Sequence, residues 1–218
     1  MPQQTQTEAN ITLYHHPKSG HCHKVALFMH LLDIPFEAVI PDMAAGEHKD
    51  DAFLALNPFG QVPVIIDNNT AVSDSNAILI YLATSYASDP NQWLGSTPTE
   101  RANIQRWFSV AAGELARGPA LARLESVFGA TIDATSALAA STALLSTMES
   151  HLAKQQSPFL VSNRLTAADV AMYSYVAHAP EGGISLDKYP TLNKWIATIE
   201  STPGFVPMPS SDIPEVRA

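Results

Sequence analysis

The chain has 218 residues, 46% of them hydrophobic, which is long and apolar enough for one large domain or two small ones around a real core. A formal net charge of −9 with only 12 Lys and Arg argues against the clustered cations that a nucleic-acid partner needs. One cysteine excludes an internal disulfide, no apolar run reaches the roughly 18 residues of a membrane helix, and the polar opening MPQQTQTEAN lacks the regions of a secretion signal; a soluble, cytoplasmic protein is expected.

Residues 11–16, ITLYHH, alternate apolar and polar up to Pro17, and Cys22, Val25, Ala26, Met29 and Leu32 then recur on one helical face. Ile34-Pro35 ends that helix before FEAVI at 36–40, which makes a βαβ unit whose two strands are expected parallel. A short helix near 51–56, a turn at Asn57-Pro58-Phe59-Gly60, the strand QVPVIID, an Asn68-Asn69 turn and TAVS give a hairpin, backed by a helix from about Ser75 to Tyr86. From Thr97 onward the pattern is helical, at 98–117, 119–128, 134–155, 166–179 and 190–201, with a break at 157–164 and an extended tail from Pro203. The expected organisation is an α/β unit at 1–87, a polar linker at 88–97 and an all-helical unit at 98–218.

Pro63 sits inside QVPVIID, where a central strand would lose a ladder hydrogen bond, so an edge or an exposed backbone position is expected. It reads either as an ordinary trans proline at a strand start or as a cis proline that turns the Val62 main chain outward for an extended ligand. Asp74-Ser75 precedes an apolar helical run; it suits a plain N-cap, and the helix N-terminus beside it suits a carboxylate.

The window HHPKSGHCHKV at 15–25 holds four histidines, the lone cysteine and a serine, and supports three readings: a metal site, a reactive thiol, or a serine at a helix mouth. On a helix His21 and His23 diverge by about 200°, and His15 and His16 alternate across a strand, so neither pair grips one ion. The histidines read as polar loop and helix-start positions. Cys22 falls on the apolar face with Val25, Ala26 and Met29 and reads as a packed thiol. Ser19 stands where strand passes to helix, with Gly20 letting the backbone turn; on this evidence alone it is an N-cap.

Taken together, LYHHPKSGHCHKVAL (13–27), NPFGQVPVI (57–65), SDSNAILIYL (73–82), LTAADVAMYSY (165–175) and YPTLNKWIATIESTPGF (189–205) resemble the cytosolic glutathione transferases over about residues 11–205. The opening window is similar to that of the serine-type, zeta- or theta-like classes. The resemblance implies a thioredoxin-like N-terminal domain, an all-α C-terminal domain, glutathione as co-substrate without a metal, and an electrophilic small molecule as second substrate. It also implies a homodimer that joins the α/β half of one chain to the helical half of the other. By the same resemblance Ser19 is the catalytic group; Cys22 lies three residues past the cysteine-type position, and Tyr14 lies within the strand. Val62 and a cis Pro63 would hold the cysteinyl backbone of glutathione, Asp74 and Ser75 its γ-glutamyl head, with His48, Lys49 and Gln61 as further contacts. Thr166 and Asp169 look like the family's helix-capping pair. Trp107, Phe108, Ala111, Glu114, Leu115, Arg117 and Arg123 are candidates for the electrophile pocket, or else helical core. A catalytically silent glutathione-binding or protein-interaction module of the same fold, or a glutathione-dependent isomerase, dehalogenase or thiol-transferase, is the alternative.

Overall fold

The computed structural model describes residues 10–155 and 157–212, so the opening polar segment and the end of the tail lie outside the described residues. β1 (Ile11–Tyr14) carries Ile11 and Leu13 into the core, and α1 (Gly20–Leu31) follows with Val25, Leu27, Phe28 and Met29 fully buried. β2 (Phe36–Val39) pairs parallel with β1, as a βαβ crossover requires. After α2 (Asp51–Leu54), β3 (Val64–Asp67) runs antiparallel to β1 and pairs through the Asn68-Asn69 turn with β4 (Thr70–Ser73). The sheet order is β2-β1-β3-β4, and α3 (Ser75–Tyr86) packs behind it with Ile78, Leu79 and Leu82 fully buried.

Of the two positions expected for Pro63, the edge strand does not hold, because β3 is an interior strand. The proline is tolerated because it precedes the ladder, which begins at Val64, and the Val62–Pro63 bond is cis. Residues 88–97 are also more than a linker. Asp89 caps α4 (Pro90–Leu94), and Trp93, buried in that short helix, meets Phe28 edge-on with ring centroids 4.9 Å apart. The polar composition around Trp93 hides this one anchor.

In the helical half α5 (Pro98–Val110) widens into a π-helical segment, Ala111–Ala120, before α6 (Leu121–Phe128). Gly118 leaves helical geometry (φ −100°, ψ −105°) and Pro119 has no N–H for the preceding turn, so the expected uniform helix over 98–117 loosens at its end. α7 (Ala134–Gln155) and α9 (Pro190–Glu200) pack on each other, and between them in sequence runs α8 (Ala167–Ala177), whose residues 167–176 are all buried. A helix apolar on every side belongs at the centre of a core, and α8 packs against α1, α3, α5 and α9. Its buried start is closed by Asp169, which accepts from the Thr166 N–H at 2.9 Å and the Thr166 hydroxyl at 2.8 Å. Among the described residues no helix is long and apolar enough to cross a membrane.

Candidate active site

A cavity of about 330 Å³ lies between the head of α1, the loop before β3 and the head of α3. Five of the residues expected to contact glutathione line it: Gln61, Val62, Pro63, Asp74 and Ser75. They converge because β3 and β4 are antiparallel, which brings the residues before β3 beside those after β4. Asn57 shapes the approach by donating through its side-chain amide to Gln61 O at 2.8 Å.

Asp74 and Ser75 divide the work at the start of α3. Asp74 adopts φ +72°, a region unusual for a non-glycine residue, and its Oδ1 accepts from the Asn76 and Ala77 N–H groups at 3.0 and 2.9 Å. It is therefore a cap, as expected, and its second carboxylate oxygen takes no part in that cap. Ser75 is buried, and its hydroxyl lies 3.3 Å from His21 Nδ1.

Ser19 is the N-cap of α1 and half-exposed; its Oγ accepts from Cys22 N–H at 3.4 Å, and the Tyr175 hydroxyl of α8 is hydrogen-bonded to its side chain. Its hydroxyl stands at the positive end of a twelve-residue helix, although Ser19 is not among the residues lining the cavity. The peptide leading into it is fixed on both sides. Ser19 N–H donates to His16 O at 3.0 Å, and Arg123 Nη1 donates to Lys18 O at 2.8 Å. Gly20 is not there for a turn. It is the first residue of the helix, and a Cβ on it would stand 2.8 Å from the Tyr175 ring, so glycine is needed for close approach.

The four histidines of the window go separate ways. His16 Nδ1 accepts from Lys18 N–H and its ring meets Phe128, while His15 precedes it in the loop. His21 and His23 point apart, as their spacing requires. His23 is buried against Ser174 Oγ and Val206 O, both at 2.9 Å, and burial pushes its imidazole down to about 4. His21 is at the helix start, as expected, and also lines the cavity, which its spacing did not reveal. Most of its ring is enclosed, and that burial, helped by the nearby Lys24 ammonium, pushes it down to about 3; it is a neutral imidazole at working pH. Among the described residues no group of three His, Cys, Asp or Glu side chains is placed to hold a metal ion.

Cys22 is fully buried, and burial pushes its thiol up to about 11 against hydrogen bonds from Ser19 and the His16 N–H. Tyr14 packs edge-on against Phe53 and faces a different cavity, with Glu47 and Asp50. Lys49 and His48 are not among the residues lining the 330 Å³ cavity. Lys49 Nζ donates to Phe59 O at 3.0 Å and Gly60 O at 2.9 Å, closing the loop before Gln61, and His48 Nδ1 is buried without a partner.

The electrophile-pocket candidates scatter. Phe108, Ala111 and Leu115 are core. Arg123, 1% exposed, is locked to Glu181 at 2.6 Å. Trp107, Glu114 and Arg117 instead line a groove of about 420 Å³ between α5, the π-helical segment and α7, with Val110, Ala140, Ala143 and Leu144.

A thioredoxin-like sheet with its cis proline, followed by a helical unit around one buried helix, defines the class of protein. The family description "Glutathione S-transferase, N-terminal domain" matches residues 19–85 and "Glutathione S-transferase, C-terminal domain" matches residues 137–206. Glutathione S-transferase PARB of Nicotiana tabacum is 30% identical over 207 residues, 90% of this chain and 95% of that one. With glutathione S-transferase F9 of Arabidopsis thaliana the identity is 38% over 79 residues, only 36% of this chain and 37% of that one. The crystal structure of a glutathione S-transferase from Pseudomonas fluorescens superposes with a TM-score of 0.84 at 31% identity, covering 91% of this chain and 98% of the other. The chain belongs to the glutathione S-transferase family.

Proposed function

We propose that the protein binds glutathione in the cavity between α1, α3 and the loop before β3, and directs its thiolate, activated at Ser19, onto the electrophilic carbon of a small molecule. The observation that carries this reading is the convergence of Gln61, Val62, Pro63, Asp74 and Ser75 on one cavity of ligand size. The main chain at Val62 lies before the strand ladder and meets the cysteinyl backbone; Asp74 meets the γ-glutamyl ammonium, and Ser75 with the α3 N–H groups meets its carboxylate. Lys49 and His48, at the loop that Lys49 closes, serve the glycyl end.

Ser19 has the valence its role requires. Ser19 Oγ accepts from Cys22 N–H, so its own O–H, which lies toward the Tyr175 hydroxyl, is the proton that turns to donate to the glutathione sulfur. A thiol of pKa roughly 8.5 is only a few per cent ionised at neutral pH, so lowering it by about two units, some 2.7 kcal/mol, increases the thiolate no more than about 30-fold. Positioning supplies the rest. The sulfur–carbon bond forms as the electrophile loses its leaving group or takes up a proton. The chemistry is of serine type, and the acidic protein with its single buried thiol suits the cytoplasm.

A homodimer joining the α/β half of one chain to the helical half of the other completes the reading. It is supported by the 78% exposed Phe59 on the first half and the apolar groove on the second.

The test is Ser19→Ala. Loss of a hydrogen bond to an ionised partner, about 1.5–3 kcal/mol, is expected to lower kcat/KM by roughly 10- to 150-fold and to raise the thiol pKa in the pH–rate profile. A wild-type protein retained on immobilised glutathione that turns over no member of a panel of small electrophiles would establish the silent binding module instead.

A further inference from the structure

We propose that His21 is a contact residue of the glutathione site: its imidazole donates through Nδ1 to Ser75 Oγ, turns the Ser75 proton toward the ligand's carboxylate, and presents Nε2 in the cavity as an acceptor. This inference rests on the γ-glutamyl placement at Ser75 given above.

The argument is one of hydrogen-bond valence. A carboxylate only accepts, so Ser75 must donate to it; the Ser75 oxygen is then free to accept from the imidazole 3.3 Å away. Nδ1 therefore carries the proton and Nε2 carries the lone pair. That nitrogen has no hydrogen-bond partner among the described residues, although the ring lines the cavity. Tyr175 supports this placement of the imidazole. The His21 backbone N–H donates to the Tyr175 hydroxyl at 3.3 Å, and its ring meets the Tyr175 ring edge-on at 4.9 Å.

Enclosure also keeps the ring neutral, so His21 contributes direction and not charge. A neutral acceptor beside Asp74 matches a donor on the γ-glutamyl head, the α-ammonium. The pair Asp74 and His21 then bracket that ammonium from two sides, while Ser75 and the α3 N–H groups take the carboxylate. Discrimination follows from this arrangement, because a thiol lacking the γ-glutamyl ammonium leaves both acceptors unmatched.

Substitutions separate the two nitrogens. The Asn amide N–H stands near the place of imidazole Nδ1–H, whereas Phe keeps the ring volume without either nitrogen. His21→Phe is expected to weaken glutathione binding about 10-fold, equivalent to one or two ordinary hydrogen bonds, with kcat at saturation changed less than three-fold; His21→Asn, which keeps the donor to Ser75 but not the Nε2 acceptor, is expected to recover only part of the loss. The ¹⁵N shifts of His21 in the glutathione complex are expected to report the Nδ1–H tautomer. Ser75→Ala is measured alongside. If Ser75→Ala weakens binding and folded His21→Phe does not, or if the complex carries the Nε2–H tautomer, the role of His21 is overturned. If neither variant changes the affinity, the γ-glutamyl placement itself is overturned.

Discussion

Ser19 and Cys22 lie one helical turn apart, and their surroundings give them opposite chemistry. Ser19 is half-exposed at the positive end of α1, whereas the Cys22 thiol is sealed and held protonated, pushed up to about 11. The native protein is expected to resist iodoacetamide at pH 7.5, with labelling that follows unfolding by urea; Cys22→Ala should keep activity within a few-fold and lose about 1 kcal/mol of stability. Rapid alkylation of folded protein with loss of activity would assign the chemistry to the thiol. Lys24, two residues on, is fully buried, and its ammonium donates to Asn76 Oδ1 at 3.1 Å. Burial pushes its ammonium from 10.5 down to about 8, with Asp74 opposing. Between pH 8 and 10.5 the unfolded chain therefore holds a proton that the folded chain does not, and this residue makes stability rise with pH across that window. Below pH 8 the residue costs a constant amount, roughly 3 kcal/mol by the same linkage. Lys24→Met should be more stable than wild type at pH 7 and should flatten the urea midpoint between pH 8 and 10.5. A less stable Lys24→Met at pH 7 would mean that the bond to Asn76 outweighs the burial.

Asp169 is the joint between elements. Besides the Thr166 main chain and hydroxyl it accepts from Leu160 N–H at 2.8 Å and from Trp195 Nε1–H at 3.0 Å, so one carboxylate fastens the 157–164 loop, the start of α8 and the middle of α9. Asp169→Ala leaves buried donors unpaired and is expected to cost about 3 kcal/mol or more, read as a lowered urea midpoint; an unchanged midpoint would show that water replaces the carboxylate. The capping pair was legible because Thr166 and Asp169 are three residues apart. The bond to Trp195 was not, since those partners stand 26 residues apart. The same division runs through the site. Pattern revealed βαβ followed by a hairpin and helix, and resemblance marked Val62, Pro63, Asp74 and Ser75, because each rests on neighbours in sequence. Spacing showed that His21 and His23 diverge but could not say which of them faces the cavity, a choice made by Ser75 and Tyr175. Gly20 looked like a turn because the Tyr175 ring against it comes from the other half of the chain.

At the scale of the whole molecule, the two halves meet at the proposed catalytic serine. Arg123 of the helical half holds Lys18 O and is itself fixed by Glu181, which also takes His178 Nδ1 at 2.7 Å and the Ser211 N–H at 3.0 Å from the tail. The tail is thus tied down in two places, the second being Val206 O on His23. The proposed homodimer has a candidate contact on each half. Phe59 stands 78% exposed at the loop before β3, and the groove on α5 and α7 offers Val110, Ala140 and Ala143 within a rim of Arg106, Glu114 and Arg117. An apolar centre with a charged rim is the make-up of a protein interface. Two-fold symmetry would seat each Phe59 in the partner's groove, so one substitution removes two contacts. Burying a Phe side chain is worth about 1.5–3 kcal/mol, and losing two weakens association by roughly 10²- to 10⁴-fold. Wild type is expected to sediment at about twice the 23.5 kDa chain mass at micromolar concentration, and Phe59→Ser to shift toward monomer. Phe59 also borders the cavity proposed for glutathione, so its variant alone confounds assembly with binding. Ala143→Arg is on the far half, at an exposed position in the groove, and fills it without touching that cavity. It should dissociate the dimer as Phe59→Ser does while the monomer keeps its affinity for glutathione; dimers that survive both substitutions would place the interface elsewhere.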